Sequence, residues 1–144
     1  MTGAEDFTLA QRLILENASD AELFQAIAHA RVQHGTHLLL AGTVWDWADW
    51  GSWFEREVVT RAEGILQASH DEIHQLVCGE WEACAKIPGL ASQFETASQI
   101  AEVVSVFVGG IVGKLLSRAV ALAVGYILAE QSVEAFCECT TTPA

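Results

Sequence analysis

The sequence of 144 residues has few cationic side chains. Seven Lys and Arg stand against nineteen Asp and Glu, which gives a formal net charge of −12 at pH 7. Such a chain would repel a phosphate backbone, so nucleic acid is not an expected ligand. The acidic excess favours solubility and a basic partner, although a solvated acidic surface is the simpler explanation.

Catalytic motifs are also missing from the sequence. It contains no Gly-Xaa-Ser-Xaa-Gly nucleophile elbow and no Cys/His catalytic signature. The glycines of residues 109–114 have the wrong spacing for a phosphate-binding loop. We therefore predict a non-enzymatic protein with no cofactor.

Proline is scarce, since only Pro88 and Pro143 occur, and no alternating β-branched run is bounded by turns. The pattern Ser/Thr-x-x-Glu recurs instead, and each such pair can satisfy two unpaired backbone amides at the start of a helix. Five such pairs are Thr2 with Glu5, Ser19 with Glu22, Ser52 with Glu55, Ser69 with Glu72, and Ser92 with Glu95. The predicted fold class is all-α, a compact bundle of five to seven helices with a buried apolar C-terminal helix or helical hairpin.

The length fits a single domain, 1–144, in which acidic and apolar residues are segregated. Residues 1–90 hold fourteen of the nineteen acids and are predicted to form amphipathic helices, including 7–16, 20–34 and a third, buried helix at 37–45. Residues 91–136 are predicted to form the apolar helix or hairpin. Residues 137–144 are predicted to be a flexible tail.

Between residues 97 and 129 every fourth residue is small, and we call this pattern the small-residue row. Small residues four apart share one ridge of a helix and let a second backbone approach closely, as in a glycine zipper. The row predicts tight helix packing and, with it, self-association or binding of another protein. The glycine pair at 109 and 110 favours a bend or break there. The predicted contact residues are Ala101, Ser105, Gly109, Gly113, Ser117, Ala121 and Gly125.

The same stretch is long enough to cross a membrane, because a helix of about 40 Å exceeds the roughly 30 Å hydrocarbon core of a bilayer. Lys114 and Arg118 oppose insertion, since each cation costs about 2.5–3.5 kcal/mol at the bilayer centre. A buried hairpin accommodates them if they reach its rim. We favour an interaction or oligomerisation module, with a membrane-active protein that inserts and oligomerises through the row as the alternative.

Aromatic residues cluster just before the middle of the chain. Trp47, Trp50 and Phe54 share one face of a helix, with Trp53 beside them. The cluster is predicted to be a wedge in the core, and the alternative is an interface with a partner or a membrane.

His70, His74 and Cys78 follow one another at intervals of four, on one side of a helix that begins near Ser69. Two ligands one turn apart can chelate a metal ion, but no second pair of ligands has the matching spacing. They are therefore weak metal candidates, and surface histidines beside a buried cysteine are the favoured interpretation.

The first residues lack a basic region followed by an apolar one, so no signal peptide is predicted. The default expectation is a cytoplasmic protein whose four cysteines are reduced. Association with a membrane is the alternative.

The tail, with Cys137 and Cys139, and the glycine pair at 109 and 110 resemble a ribosomally made peptide precursor, which joins an acidic helical leader to an apolar core segment. The resemblance implies a cleavage site at the glycine pair. Such a precursor, or a metal-binding helical protein, is the third interpretation.

Overall fold

The computed structural model describes residues 15–32, 37–40, 43–46, 54–90 and 92–139. Its helices follow one another along the chain, and two of them change their hydrogen-bonding pattern part of the way. Helix α2 begins as a π-helical segment and continues as an α-helix, whereas α3 begins as an α-helix and continues as a π-helical segment. The bounds are α1 Asp20–Val32, α2 Glu55–Thr60 and Arg61–Ala68, α3 His70–His74 and Gln75–Glu80, α4 Ala83–Lys86, α5 Gln93–Val112, α6 Lys114–Gln131 and α7 Val133–Phe136.

The predicted all-α fold with a buried C-terminal hairpin is confirmed. Helix α6 lies at the centre, and every residue from 119 to 128 is buried. Helices α1, α2, α5 and α7 pack around it. A helix that is apolar on all sides needs such surroundings, because each of its faces must be removed from water.

Apolar side chains from the surrounding helices complete the core. Ile27 of α1, Val58 of α2 and Ile100 of α5 are fully buried, as is Ile73 of α3. Glu57 is a charged residue in this core, and its carboxylate accepts hydrogen bonds from Arg56 at 3.1 Å and from Arg61 at 3.0 Å. The two guanidinium groups balance the negative charge that Glu57 of α2 places in the core.

The prediction of a third helix at 37–45 is wrong, because this region forms an antiparallel β-hairpin. Strands β1, His37–Leu40, and β2, Thr43–Asp46, pair with His37 opposite Asp46 and Leu40 opposite Thr43. Two residues, one of them a glycine, separate the strands, and this is the commonest length for a hairpin connection. Thr43, Val44 and Trp45 are also residue types that strands favour.

In two of the five predicted capping boxes, the serine side chain accepts a hydrogen bond from the backbone amide of the glutamate three residues later. The amide of Glu22 donates to Ser19 Oγ at 3.1 Å, and the amide of Ser19 donates to Glu22 Oε1 at 2.9 Å, so α1 has both bonds. Ser92 Oγ accepts from the amide of Glu95 at 3.1 Å at the start of α5. Ser69 precedes α3 without a side-chain cap. Thr2 and Ser52 lie outside the described residues, as does most of the predicted helix 7–16.

The break predicted at the glycine pair lies instead at Gly113. Helix α5 runs through Gly109 and Gly110 to Val112, and α6 begins at Lys114. Gly113 has φ +88° and ψ 167°, a conformation that only glycine adopts readily. The resulting α5–α6 hairpin is the framework for every candidate site below.

Candidate functional site

The small-residue row lies where α5 and α6 contact each other. A Cβ added to Gly125 of α6 would lie 3.1 Å from the Cα of Ala97 and 3.0 Å from its carbonyl carbon. Near the turn, a Cβ on Gly109 would lie 3.5 Å from the Cβ of Ser117. Ala97 and Ala121 are almost fully buried. The row therefore folds back on itself and brings the two helices together within one chain.

Other members of the row border a small cavity between the same helices. Ala101 and Ser105 of α5 face Ser117 and Ala121 of α6 around a volume of about 250 Å³. Self-association through the row stays a prediction. Contact of a second chain with Ala97 or Gly125 requires the hairpin to open, because α6 covers Ala97 and α5 covers Gly125. The other row members are partly or fully exposed, except the buried Ala121.

The two cations of α6 reach the rim of the bundle. Arg118 Nη1 donates to Asp20 Oδ1 at 2.8 Å, and Arg118 Nη2 donates to the carbonyl oxygens of Leu15 at 2.9 Å and Ala18 at 2.5 Å. Lys114 is exposed. A buried hairpin accommodates both charges if they reach its rim, and this arrangement meets that condition.

Two disulfides tie the C-terminal segment to α3 and α4, so the prediction of reduced cysteines is wrong. Cys78 bonds to Cys137 with their Cα atoms 5.4 Å apart, and Cys84 bonds to Cys139 with Cα atoms 5.5 Å apart. The structure thus fixes Cys137 and Cys139, which the sequence placed in a flexible tail. An even number of cysteines in two closely spaced pairs is the signal that could have indicated these bonds.

The three metal candidates do not converge on one site. The Cys78 sulfur is bonded to Cys137 and is no thiolate ligand. The rings of His70 and His74 stack with centroids 5.9 Å apart, and both contact the ring of Phe136, at 5.1 and 5.3 Å. Across the described part of the chain, no three His, Cys, Asp or Glu are placed to hold a metal ion.

The aromatic cluster contributes to the core through Phe54, which is 0% exposed. Phe54 therefore belongs to no exposed interface, in line with the favoured interpretation of a core wedge. Trp47, Trp50 and Trp53 lie outside the described residues.

A groove that the sequence analysis missed lies between α3 and α5, and we call it the α3–α5 groove. Its volume is about 570 Å³. The floor is apolar, with Leu76 of α3 and Val103, Val106 and Phe107 of α5. Leu76, Val103 and Phe107 are half-buried against the core, whereas Val106 is 88% exposed. The sequence did contain a signal for this groove, because α5 is apolar well beyond the single face that α6 covers.

The rim of the α3–α5 groove is acidic. Asp71, Glu72 and Glu80 of α3 line it, and all three are exposed. Gln75 completes the lining, so the groove combines an apolar floor with negative charge along one side. Such a surface can bind apolar side chains and attract cations.

Among the described helices, α5 also meets the length and composition of a membrane span. Gln93–Val112 has 20 residues and an 18-residue window of mean hydropathy 1.3, of which 22% is buried in the bundle. Many soluble core helices pass the same test, but they are mostly buried. Only 22% of the α5 window is buried, whereas every α6 residue from 119 to 128 is buried.

Comparison with known proteins identifies no relative of this chain. No protein-family model matches the chain, and no curated protein or solved structure matches it. Functional inference therefore rests on the geometry described above.

Proposed function

We propose that this protein is a non-enzymatic interaction module whose α3–α5 groove receives a helix of another protein. The observation that carries the proposal is the position of Val106, 88% exposed beside three half-buried apolar side chains. Isolated exposed valines are common, but an exposed valine in an apolar groove leaves a continuous surface in contact with water. A partner that covers this surface gains about 25 cal/mol for each Å² of apolar area buried.

A second copy of the chain fits the groove poorly. With a net charge of −12 and carboxylates along the groove rim, two copies that approach through this face repel each other. The small-residue row is the other route to self-association, and its members Ala97, Ala121 and Gly125 are already buried within the hairpin. Another protein is therefore the favoured partner. Formation of a homo-oligomer through an opened hairpin is the less favoured alternative.

The two disulfides favour maturation in an oxidising compartment, because glutathione and thioredoxin keep cytosolic thiols reduced. The cytoplasmic location predicted from the sequence remains untested. Free-thiol labelling of the protein as isolated from its source separates the two locations: four blocked cysteines support the oxidising compartment, and four reactive thiols support the cytoplasm.

Site-specific crosslinking tests the proposed function. A photo-crosslinking amino acid replaces Val106 in the full-length chain, and a matched variant carries it at Glu134, an exposed position of α7 outside the groove. Irradiation in the native cells is expected to give protein adducts from position 106 and none from position 134. Equal adducts from both positions, or none from position 106, would contradict the proposal.

A membrane-active protein is the second candidate, and it is favoured by α5, which is apolar and only 22% buried over its 18-residue window. Insertion would expose the α5–α6 hairpin to lipid, with the small-residue row holding its helices together. Dye release from phosphatidylcholine vesicles by the full-length protein, lost in Gly109→Leu and kept in the control Gly110→Leu outside the row, would support this candidate. Absence of release, both with and without reductant, would exclude it in favour of the interaction module.

A further inference from the structure

We infer that the occupant of the α3–α5 groove is an amphipathic helix with a basic flank. This inference rests on the proposed function and specifies the chemistry of the partner. It follows from three properties of the groove, namely its apolar floor, its length along α3 and the sign of the charge on its rim.

The groove extends over between two and three turns of a helix. Asp71 and Glu80 mark its extent along α3, and nine residues at the α-helical rise correspond to about 13.5 Å. On α5, Val103 and Phe107 are one turn apart, with Val106 between them. A bound helix that presents apolar side chains at positions i, i+3 and i+4 would place them against this floor, which spans about one turn of α5.

The charge on the rim selects the polar residues of the partner. The three groove carboxylates all belong to α3, and no cation among the residues that the structure describes lines the groove. A helix seated on the floor has one flank beside α3, and Lys or Arg on that flank lies within the Debye length of about 8 Å at physiological salt. Acidic residues at the same positions would be repelled, so the rim discriminates by sign.

Synthetic peptides of about 15 residues provide the probe, since shorter isolated helices are marginal in water. The first has Leu at helical spacing and Lys elsewhere. The second keeps the Leu positions and replaces every Lys by Glu. The third has the composition of the first with the Leu residues scrambled. Binding to the full-length, disulfide-bonded protein is measured by fluorescence polarisation at about 0.15 M salt.

The first peptide is expected to bind at least about tenfold more tightly than either of the others. Val106→Asp should weaken its binding about tenfold, whereas Ile111→Asp, at an exposed position of the same helix outside the groove, should leave it unchanged. Glu72→Lys with Glu80→Lys should reverse the preference between Lys and Glu peptides. Glu134→Lys with Glu138→Lys, at two exposed positions outside the groove, is the matched charge control and should not reverse it.

Several outcomes would overturn the inference. Equal binding of the scrambled peptide would show attraction by charge alone, and equal binding of the Glu peptide would show that the rim does not select. Capture by phosphatidylcholine vesicles that depends on Val106, without peptide binding, would identify lipid as the occupant. If no peptide binds while the crosslinker at position 106 still gives protein adducts, the basic helix is excluded and the proposed function stands.

Discussion

Gly125 of α6 lies directly against the backbone of Ala97 of α5, with no space between them for a side-chain carbon. An added Cβ would lie 3.0 Å from the Ala97 carbonyl carbon and would clash with the carbonyl oxygen. Residues 97 and 125 lie at equal distances along the chain from residue 111, two residues before the turn at Gly113. The close contact and the position of the turn are thus linked, because the row pairs across the hairpin.

Gly125→Ala is expected to lower the free energy of unfolding by about 3 kcal/mol, since the obstructing atoms belong to the backbone and the helices must move apart. Gly110→Ala is the matched control. No atom lies within 4 Å of a Cβ at Gly110, and alanine should stabilise that exposed helical position by about 0.5–1 kcal/mol. Urea denaturation followed by circular dichroism measures both changes. Equal effects of the two substitutions would contradict the close contact.

Gly113→Ala separates conformational strain from steric crowding. A Cβ at Gly113 meets nothing within 4 Å, but the backbone has φ +88° and ψ 167°. Alanine should therefore cost about 2 kcal/mol through its backbone conformation alone. The same denaturation experiment measures this cost. A stabilising effect, such as that expected at Gly110, would show that the hairpin does not turn at Gly113.

The two disulfides are expected to contribute to stability non-additively. Either bridge alone closes a long loop, with a sequence separation of 59 or 55 residues, worth about 4 kcal/mol. The second then closes only a ring of about ten residues, worth about 2.7 kcal/mol. Replacing one pair, Cys78 with Cys137 or Cys84 with Cys139, by serine should cost about 2.7 kcal/mol, and replacing both about 7 kcal/mol.

Denaturation of the three cysteine variants without reductant tests this relationship. The loss in the variant without either bridge should exceed the sum of the two single-bridge losses by about 1.5 kcal/mol. A loss equal to that sum would show that the two bridges restrict the unfolded chain independently, contrary to the overlap of their loops.

Arg118→Met is expected to destabilise the protein by about 2 kcal/mol, because two backbone carbonyl oxygens lose a charged donor. Asp20→Asn removes only the exposed ion pair and should cost less than about 1 kcal/mol. Lys114→Met, at an exposed position of the same helix, should have little effect. A larger loss for Asp20→Asn than for Arg118→Met would assign the stabilisation to the ion pair instead of the carbonyl contacts.

The sequence predicted the helical class and the apolar hairpin because these depend on local signals. Ser19 and Ser92 cap helices at the predicted positions, and the periodic small residues make a close helix contact. The location of the break was wrong, because glycine costs a helix only about 1 kcal/mol and α5 tolerates both Gly109 and Gly110. The turn lies where the row can pair with itself, and this is a tertiary property.

The β-hairpin replaced a predicted helix, since a short apolar run does not distinguish a strand from a buried helix. The other features that were not predicted depend on contacts distant in the chain. The disulfides join residues 59 and 55 positions apart. The α3–α5 groove arises because α6 covers one face of α5 and α3 only part of another, which leaves Val106 exposed.

The bridge between Cys78 and Cys137 makes a covalent ring that contains α4, α5, α6 and α7. A protease that cuts once inside this ring, for example beside the exposed Gly89, would produce two polypeptides that remain joined until a reductant is added. The same ring limits how the hairpin can unfold, since its two ends cannot separate from α3 while the bridge is intact. Nicked protein should thus keep its mass on non-reducing gels and separate into fragments only after reduction.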